Sequence, residues 1–310
     1  MRNVALFLAV VLSASGALGK AKAKRINKAV ELLEQTQPIY YTSTRGGYEE
    51  GRELGRTWAD YVNYELEHGA FDMTKLREFM RGLVDGGPTE SGHRTPAVIV
   101  SLPVLGLDEA SMRANSWVVQ QVLAAGVHGV LLCHARSPEA AKVFVQAARY
   151  PFHLQAVGAG LEEGLRGSGS QDYAAEIWGI SNEEYLRVAD PWPLNPEGEL
   201  LLGLKIEDRH ALENAEASTR IPGIAFAEWG PGDMGFSYGI TSRQPGPWPE
   251  RMQEARSRVL KATQAAGIYF LNAVNPDNVE AMIDEGVMIG SGNREAAEKG
   301  RRYSKRPRPW

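Results

Sequence analysis

A repeating rhythm constrains this chain more than any other feature of its sequence. Short apolar runs recur along it, and stretches with helical spacing lie between them. The runs are Pro38-Ile39-Tyr40-Tyr41-Thr42, Tyr61-Val62-Asn63-Tyr64, Ala97-Val98-Ile99-Val100 and Gly129-Val130-Leu131-Leu132-Cys133, then residues 200–206, 223–227, 267–271 and 286–290. Near-continuous apolar runs suit strands that are covered on both faces, as in a parallel sheet. Residues 73–84, 112–125, 138–148 and 251–266 place apolar side chains three and four apart, the period of an amphipathic helix. Ser137-Pro138-Glu139 and Asn275-Pro276-Asp277 read as helix starts. Ala124-Ala125-Gly126, Ala266-Gly267 and Glu285-Gly286 put glycine where a helix stops before the next strand.

Eight strands alternating with helices predict an α/β fold, a single (β/α)8 barrel of the TIM type, with a doubly wound open sheet as the alternative. The 310 residues hold a barrel of about 250 with extensions, and no linker-like stretch divides residues 20–299, so one domain is expected. Residues 158–200, rich in glycine, proline and acids, break the rhythm. They are expected to form a long loop insertion at the catalytic face, a candidate lid.

The two ends differ from the middle. Residues 1–19, MRNVALFLAVVLSASGALG, carry a basic start, an apolar run and small residues at a cleavage-like site, the three parts of a secretory signal peptide. Export to the periplasm or medium is expected, with no membrane attachment after cleavage, because the run is too short to span a bilayer. Residues 300–310 are basic and proline-bearing and predict a tail outside the core. The net charge of -4 argues against a nucleic-acid partner. The single cysteine, Cys133, forbids an intrachain disulfide or a multi-cysteine metal site, and its apolar neighbours predict a buried, inert thiol.

Barrel enzymes carry their chemistry at the C-terminal ends of strands. After the second run comes Glu65-Leu66-Glu67-His68-Gly69, where a carboxylate beside a histidine suits proton transfer near neutral pH; a solvated loop would carry the same residues. After the fifth and sixth come Lys205-Ile206-Glu207-Asp208 and Glu228-Trp229-Gly230-Pro231-Gly232-Asp233. Glu207 and Asp233 on neighbouring strand ends would make a site for a hard divalent ion, unless they are unrelated surface acids. The Gly-Pro-Gly run lets backbone amides approach an anion. His134 follows the fourth run and would line the mouth, unless it is a structural histidine. Gly235-Phe236-Ser237-Tyr238-Gly239 matches a serine-nucleophile pattern, but residues 229–234 separate it from the strand it would need to follow directly.

These blocks together resemble the HpcH/HpaI aldolase/citrate lyase family, metal-dependent (class II) pyruvate aldolases on a (β/α)8 barrel. The family's D-x-x-x-x-D-x-E-H block aligns with Asp60-Tyr61-Val62-Asn63-Tyr64-Glu65-Leu66-Glu67-His68, A-x-R-Y-P with Ala147-Ala148-Arg149-Tyr150-Pro151, V-Q-I-E with Leu204-Lys205-Ile206-Glu207, and G-P-x-D-L with Gly230-Pro231-Gly232-Asp233-Met234. The resemblance implies that Glu207 and Asp233 bind a divalent ion, Mg²⁺ or Mn²⁺ with Co²⁺ or Zn²⁺ as alternatives. It implies that the amides of Gly232 and Asp233 hold the carboxylate of a 2-oxo acid, and that His68, backed by Glu67 or Glu65, moves a hydroxyl proton. The partners implied are a small oxo acid and an aldehyde, in a homotrimer or homohexamer. Two departures stand out. The family's strand-three arginine is absent from Val98-Ile99-Val100-Ser101-Leu102-Pro103, and Lys205 replaces the glutamine before the metal glutamate. Lys205, Arg136 or His134 could then supply the missing contact to substrate. A different metal–enolate lyase or a decarboxylase, or a non-catalytic barrel that binds a small acid, are the alternatives these departures leave open.

Overall fold

A computed structural model describes residues 25–241 and 247–308. Its strands are β1 (Ile39–Thr44), β2 (Tyr61–Glu65), β3 (Ala97–Leu105), β4 (Gly129–Cys133), β5 (Pro191–Trp192), β6 (Leu200–Ile206), β7 (Phe226–Trp229), β8 (Tyr269–Ala273) and β9 (Val287–Ser291). All pair in parallel, in the order β4-β3-β2-β1-β9-β8-β7-β6. A β4–β6 pairing from Gly129↔Leu201 to Leu132↔Leu204 closes the ring. The predicted runs supply the eight barrel strands, and the sheet is closed rather than open. β5 adds only two residues beside the start of β6.

Strand alternation sorts the core into two parts. Ile39, Tyr61, Ala97, Ile99, Leu131, Leu201, Phe226, Leu271 and Ile289 cluster inside the barrel with Ala29, Val30 and Leu33 of the helix Lys28–Glu34. That helix plugs the N-terminal end: the Asn27 side chain donates to the carbonyls of His128 and Glu199, which lead into β4 and β6. Gly203 must be a glycine, because a β-carbon there would enter the Phe226 ring. The alternate residues, among them Val62, Val98, Val100, Val130, Leu132, Leu202 and Leu204, pack outward in the helical layer. Farther along the same strands the inner positions turn polar: Ser101 Oγ donates to Asn63 Oδ1 at 3.0 Å, and Lys205 pairs in register with Glu228. The apolar half fixes the barrel and the polar half is left for chemistry.

The signal peptide, residues 1–19, lies outside the described residues. The insertion at 158–200 is not loop throughout, and it does not lie at the catalytic face. It contains the helices Gln171–Trp178 and Asn182–Val188, and it follows the helix Pro138–Ala147 and precedes β6. A helix-to-strand connection runs to the N-terminal end of a barrel, opposite the chemistry. Accordingly, Trp178 Nε1 donates to Gly126 O at 2.8 Å, and its ring stacks on His128 ahead of β4. The Arg149 guanidinium grips Asp190 with two hydrogen bonds of 2.8 and 3.1 Å, both side chains being fully buried.

The basic C-terminal segment is likewise not a tail outside the core. It is helical over Arg294–Tyr303, and Arg301 and Arg306 are buried. Both reach Asp60, as does Lys28: Arg301 Nη2 is 3.1 Å from Oδ2, Arg306 Nη1 donates to Oδ2 at 2.9 Å, and Lys28 Nζ is 3.3 Å from Oδ1. A carboxylate with no exposure needs counter-charge, and these cations come inside to supply it. Burial would raise the Asp60 carboxyl, but Arg306, Lys28 and Arg301 outweigh burial and hold it below the usual carboxylate range. The folded carboxyl is therefore more acidic than the unfolded one. Its contribution to stability is full above about pH 4 and is lost as pH falls through the folded value. Asp60→Asn is expected to cost about 3–5 kcal/mol, because three buried cations lose the carboxylate they share. The urea midpoint at pH 7 should fall, and the acid limb below about pH 4 should flatten; unchanged midpoints would show that the cluster adds no net stability.

Candidate functional site

Four side chains converge at the C-terminal end of the barrel. Glu67 stands two residues beyond β2, in a turn shaped by Glu65, whose Oε1 accepts the amides of Glu67 (2.7 Å) and His68 (3.2 Å). His134 follows β4 directly with φ +45, a left-handed conformation that is costly for a residue with a β-carbon. Two contacts hold it there: its amide donates to Glu207 Oε1 at 3.0 Å, and its Nδ1 lies 2.8 Å from Asp208 Oδ2. Glu207 follows β6. Asp233 comes from the first turn of the helix Pro231–Ser237 after β7. Ligand atoms of Glu67, His134, Glu207 and Asp233 all lie within 4.8 Å of one another.

The supports of this cluster can be traced. Asp208 caps the helix Arg209–Glu213 by accepting the amides of His210 and Ala211, each at 2.9 Å. Its other oxygen holds His134 and also accepts Arg136 Nε at 2.8 Å. With Nδ1 so engaged, His134 Nε2 faces Glu207 Oε1 at 3.9 Å and Glu67 Oε1 at 4.0 Å. The hydrogen bond that Nδ1 gives to Asp208 raises the imidazole's affinity for a proton. Burial would raise Asp208, but the bonds from His134, Ala211 and Arg136 hold it well below the usual range. Gly230 is required here, since a β-carbon would lie 2.6 Å from Glu207 Cβ and 2.7 Å from its Oε2.

The donor set fits a hard divalent ion. Glu67 Oε1 and Glu207 Oε2 are buried and have no hydrogen-bond partner among the described residues. Orphaned carboxylate oxygens are costly in a protein interior, and a cation coordinated by them removes that cost. Three carboxylates with one imidazole suit Mg²⁺ or Mn²⁺, and the nitrogen also admits Co²⁺ or Zn²⁺. Burial raises the Glu207 carboxyl above the ordinary range and pushes Glu228, deeper in the mouth, up to about 7. Lys205 Nζ sits 2.5 Å from Glu67 Oε2 and 3.5 Å from Glu207 Oε2. Burial would lower this ammonium, but Glu228, Glu207 and Glu67 more than offset that and keep it charged.

The sequence-predicted residues separate into those inside the cluster and those beside it. Glu207 and Asp233 meet as expected, and His134 and Glu67 join them. His68 stays outside: its side chain is 57% exposed, with Nε2 3.5 Å from Glu67 Oε2. It lines a cavity of about 330 Å³ with Asp233, Gly232 and Arg45. Glu65 spends its carboxylate on backbone amides rather than on the His68 ring. Arg136 is tied to Asp208 instead of projecting into the cluster. Nothing lies within 4 Å of where a β-carbon of Gly232 would be, so its backbone is open to a ligand. Ser237 lies in a helix and its Oγ accepts the Arg209 amide, which removes the nucleophile reading. Cys133 is buried and burial raises its thiol, as expected of an inert cysteine. Sequence reasoning missed Asp208 and Arg45. The capping pattern of an aspartate before Arg209-His210-Ala211 could have found the first; Arg45, past β1, gave no signal.

Comparison with known proteins agrees with this architecture. The HpcH/HpaI aldolase/citrate lyase family model matches residues 94–292, well over half of the chain. A hydroxypyruvate/pyruvate aldolase of Deinococcus radiodurans is 29% identical over 155 residues, 50% of each chain. A 2-keto-3-deoxy-L-rhamnonate aldolase of Klebsiella pneumoniae is 31% identical over 171 residues, 54% of this chain and 56% of that one. The chain thus spans about half the length of these curated relatives. Among solved structures, an HpcH/HpaI family protein from Burkholderia cenocepacia superposes with a TM-score of 0.67 at 19% identity, over 86% of this chain and 93% of that one. The citrate lyase beta subunit of M. tuberculosis, solved with oxaloacetate and magnesium, gives 0.51 at 14% identity, over 88% and 98%. The closed parallel barrel and the matched sequence lead to one assignment: this chain belongs to the HpcH/HpaI aldolase/citrate lyase family.

Proposed function

We propose that this protein is a divalent-metal-dependent carbon–carbon lyase of the aldolase type, acting on a 4-hydroxy-2-oxo acid through the enolate of a 2-oxo acid. One observation carries the reading: two buried carboxylate oxygens without hydrogen-bond partners, in a four-residue cluster at the mouth of the barrel. Glu207 and Asp233, with Glu67 and His134, would hold the metal. When bound, the ion supplies Lewis acidity toward an oxygen that gains negative charge.

The chain's own residues divide the remaining work. The open backbone at Gly232 and Asp233 would take the substrate carboxylate. His68, at the cavity edge with Glu67 behind it, would accept the hydroxyl proton of the substrate. Lys205 would supply a fixed positive charge where the family's strand-three arginine is lacking. Here β3 offers Ser101, whose hydroxyl is given to Asn63. That neutral pair favours the second reading, a decarboxylase or another lyase of the same enolate. Residues 1–19 support action outside the cytoplasm.

Elemental analysis of the mature protein should find about one divalent ion per chain, lost in Glu207→Ala and Asp233→Ala, with cleavage of 4-hydroxy-2-oxo acids lost alongside. Wild type that binds no metal when supplemented would overturn the reading in favour of a non-catalytic barrel. Asp208→Asn keeps a good helix cap but loosens His134, and should weaken Mn²⁺ binding by about 10–100-fold in a calorimetric titration. Lys205→Met should move two quantities in opposite directions: tighter metal binding, since a repelling ammonium is gone, and turnover lower by about 10²–10³-fold, since a cation near developing charge is gone. Faster turnover in that variant would refute the role given to Lys205.

A further inference from the structure

The cavity beside Asp233 has a character that metal binding does not demand. Its volume is about 330 Å³ and its polar groups are Arg45, His68 and Asp233. The other side chains among the described residues of its wall are mainly apolar, Pro231, Phe236, Ile240, Trp248 and Met252, beside Gly232 and Gly235. Phe236 is 63% exposed, a large ring held toward water at the entrance to a reaction site. Among the described residues, a chain of hydroxyls lying along Pro231, Phe236, Ile240 and Met252 would find no strong side-chain hydrogen-bond partner, with the Trp248 indole N–H as the one donor of that wall, and most of its lost hydration would go unreplaced. An apolar group would gain by covering them.

We infer that the carbonyl fragment of the reaction is an aldehyde with an apolar substituent, aromatic or branched aliphatic, seated against Phe236, Ile240 and Trp248. The inference rests on the aldolase reading and adds the class of acceptor. In cleavage, the C4 hydroxyl gives its proton to His68 and C4–O becomes the aldehyde carbonyl. The C3–C4 electron pair passes to the oxo-acid fragment as its enolate, which is then protonated at C3. The aldehyde leaves along the apolar wall, and condensation runs the same steps in reverse.

The test uses the metal-loaded full chain. Condensation of pyruvate with benzaldehyde and 3-methylbutanal is compared with condensation with glyceraldehyde and glycolaldehyde. Exchange of the pyruvate methyl hydrogens in D₂O, with no aldehyde present, is followed in parallel. The expected result is exchange together with kcat/KM at least about tenfold higher for the apolar aldehydes, a ratio that falls about tenfold or more in Phe236→Asn. Phe236 is largely exposed, so that variant should fold; Ile240→Asn provides a second reading of the same wall. Exchange with a preference for the hydroxylated aldehydes would overturn the acceptor class and leave the aldolase reading standing. Absence of exchange would overturn both. A ratio that neither variant moves would show that the wall does not choose the substrate.

Discussion

Negative charge gathered in a confined space is the constraint to which the mouth of this barrel answers. Glu67, Glu207 and Asp233 approach one another closely, with Glu228 deeper in the same mouth. Left alone, such a group would repel and draw protons. Lys205 offsets part of the charge, and the two orphaned oxygens mark where more positive charge belongs. Other local features follow from that arrangement. Gly230 is bare so that Glu207 has room, His134 accepts a costly backbone conformation so that its amide and ring meet two acids, and Asp208 holds that ring while capping the next helix.

The rest of the barrel isolates this centre. Strand alternation fills the lower half of the lumen with aliphatic and aromatic side chains and lets the helix Lys28–Glu34 stopper it. The polar half therefore opens at one end only. The helices inserted before β6 are packed at the stoppered end, where Arg149 and Asp190 anchor them. Their length and composition can change without touching the residues that would meet a substrate.

The architecture was readable because it rests on period and order. Apolar runs alternating with helical spacing located the strands, and the rule that barrel chemistry sits past strand ends was enough to pair Glu207 with Asp233. What failed to show depends on features without a period. Beyond the last residue of β2 alternation no longer tells which way a side chain points, so Glu67 was read only as the partner of His68 and not also as a member of the cluster. Nothing in the letters marks His134 as left-handed, because glycine normally signals that conformation. The segment 158–200 looked like a loop because its helices are short and flanked by glycine and proline, although its place between a helix and a strand already assigned it to the quiet end. Charge runs usually mean solvated surface; Arg301 and Arg306 broke that rule because their partner, Asp60, lies on the far side of the sequence.

That last pairing bears on when the molecule becomes whole. Asp60 stands at the entrance to the second strand, and its partners come from residue 28 and from residues 301 and 306. A chain growing from its N-terminus can make the early strands, but one of their buried acids stays short of its counter-ions until residue 306 has been made. The ring closes with its electrostatic debt settled only then. A product shortened by even a few residues near the end would carry a fault at the start of β2, far from the break in sequence and at the opposite end of the barrel from the chemistry.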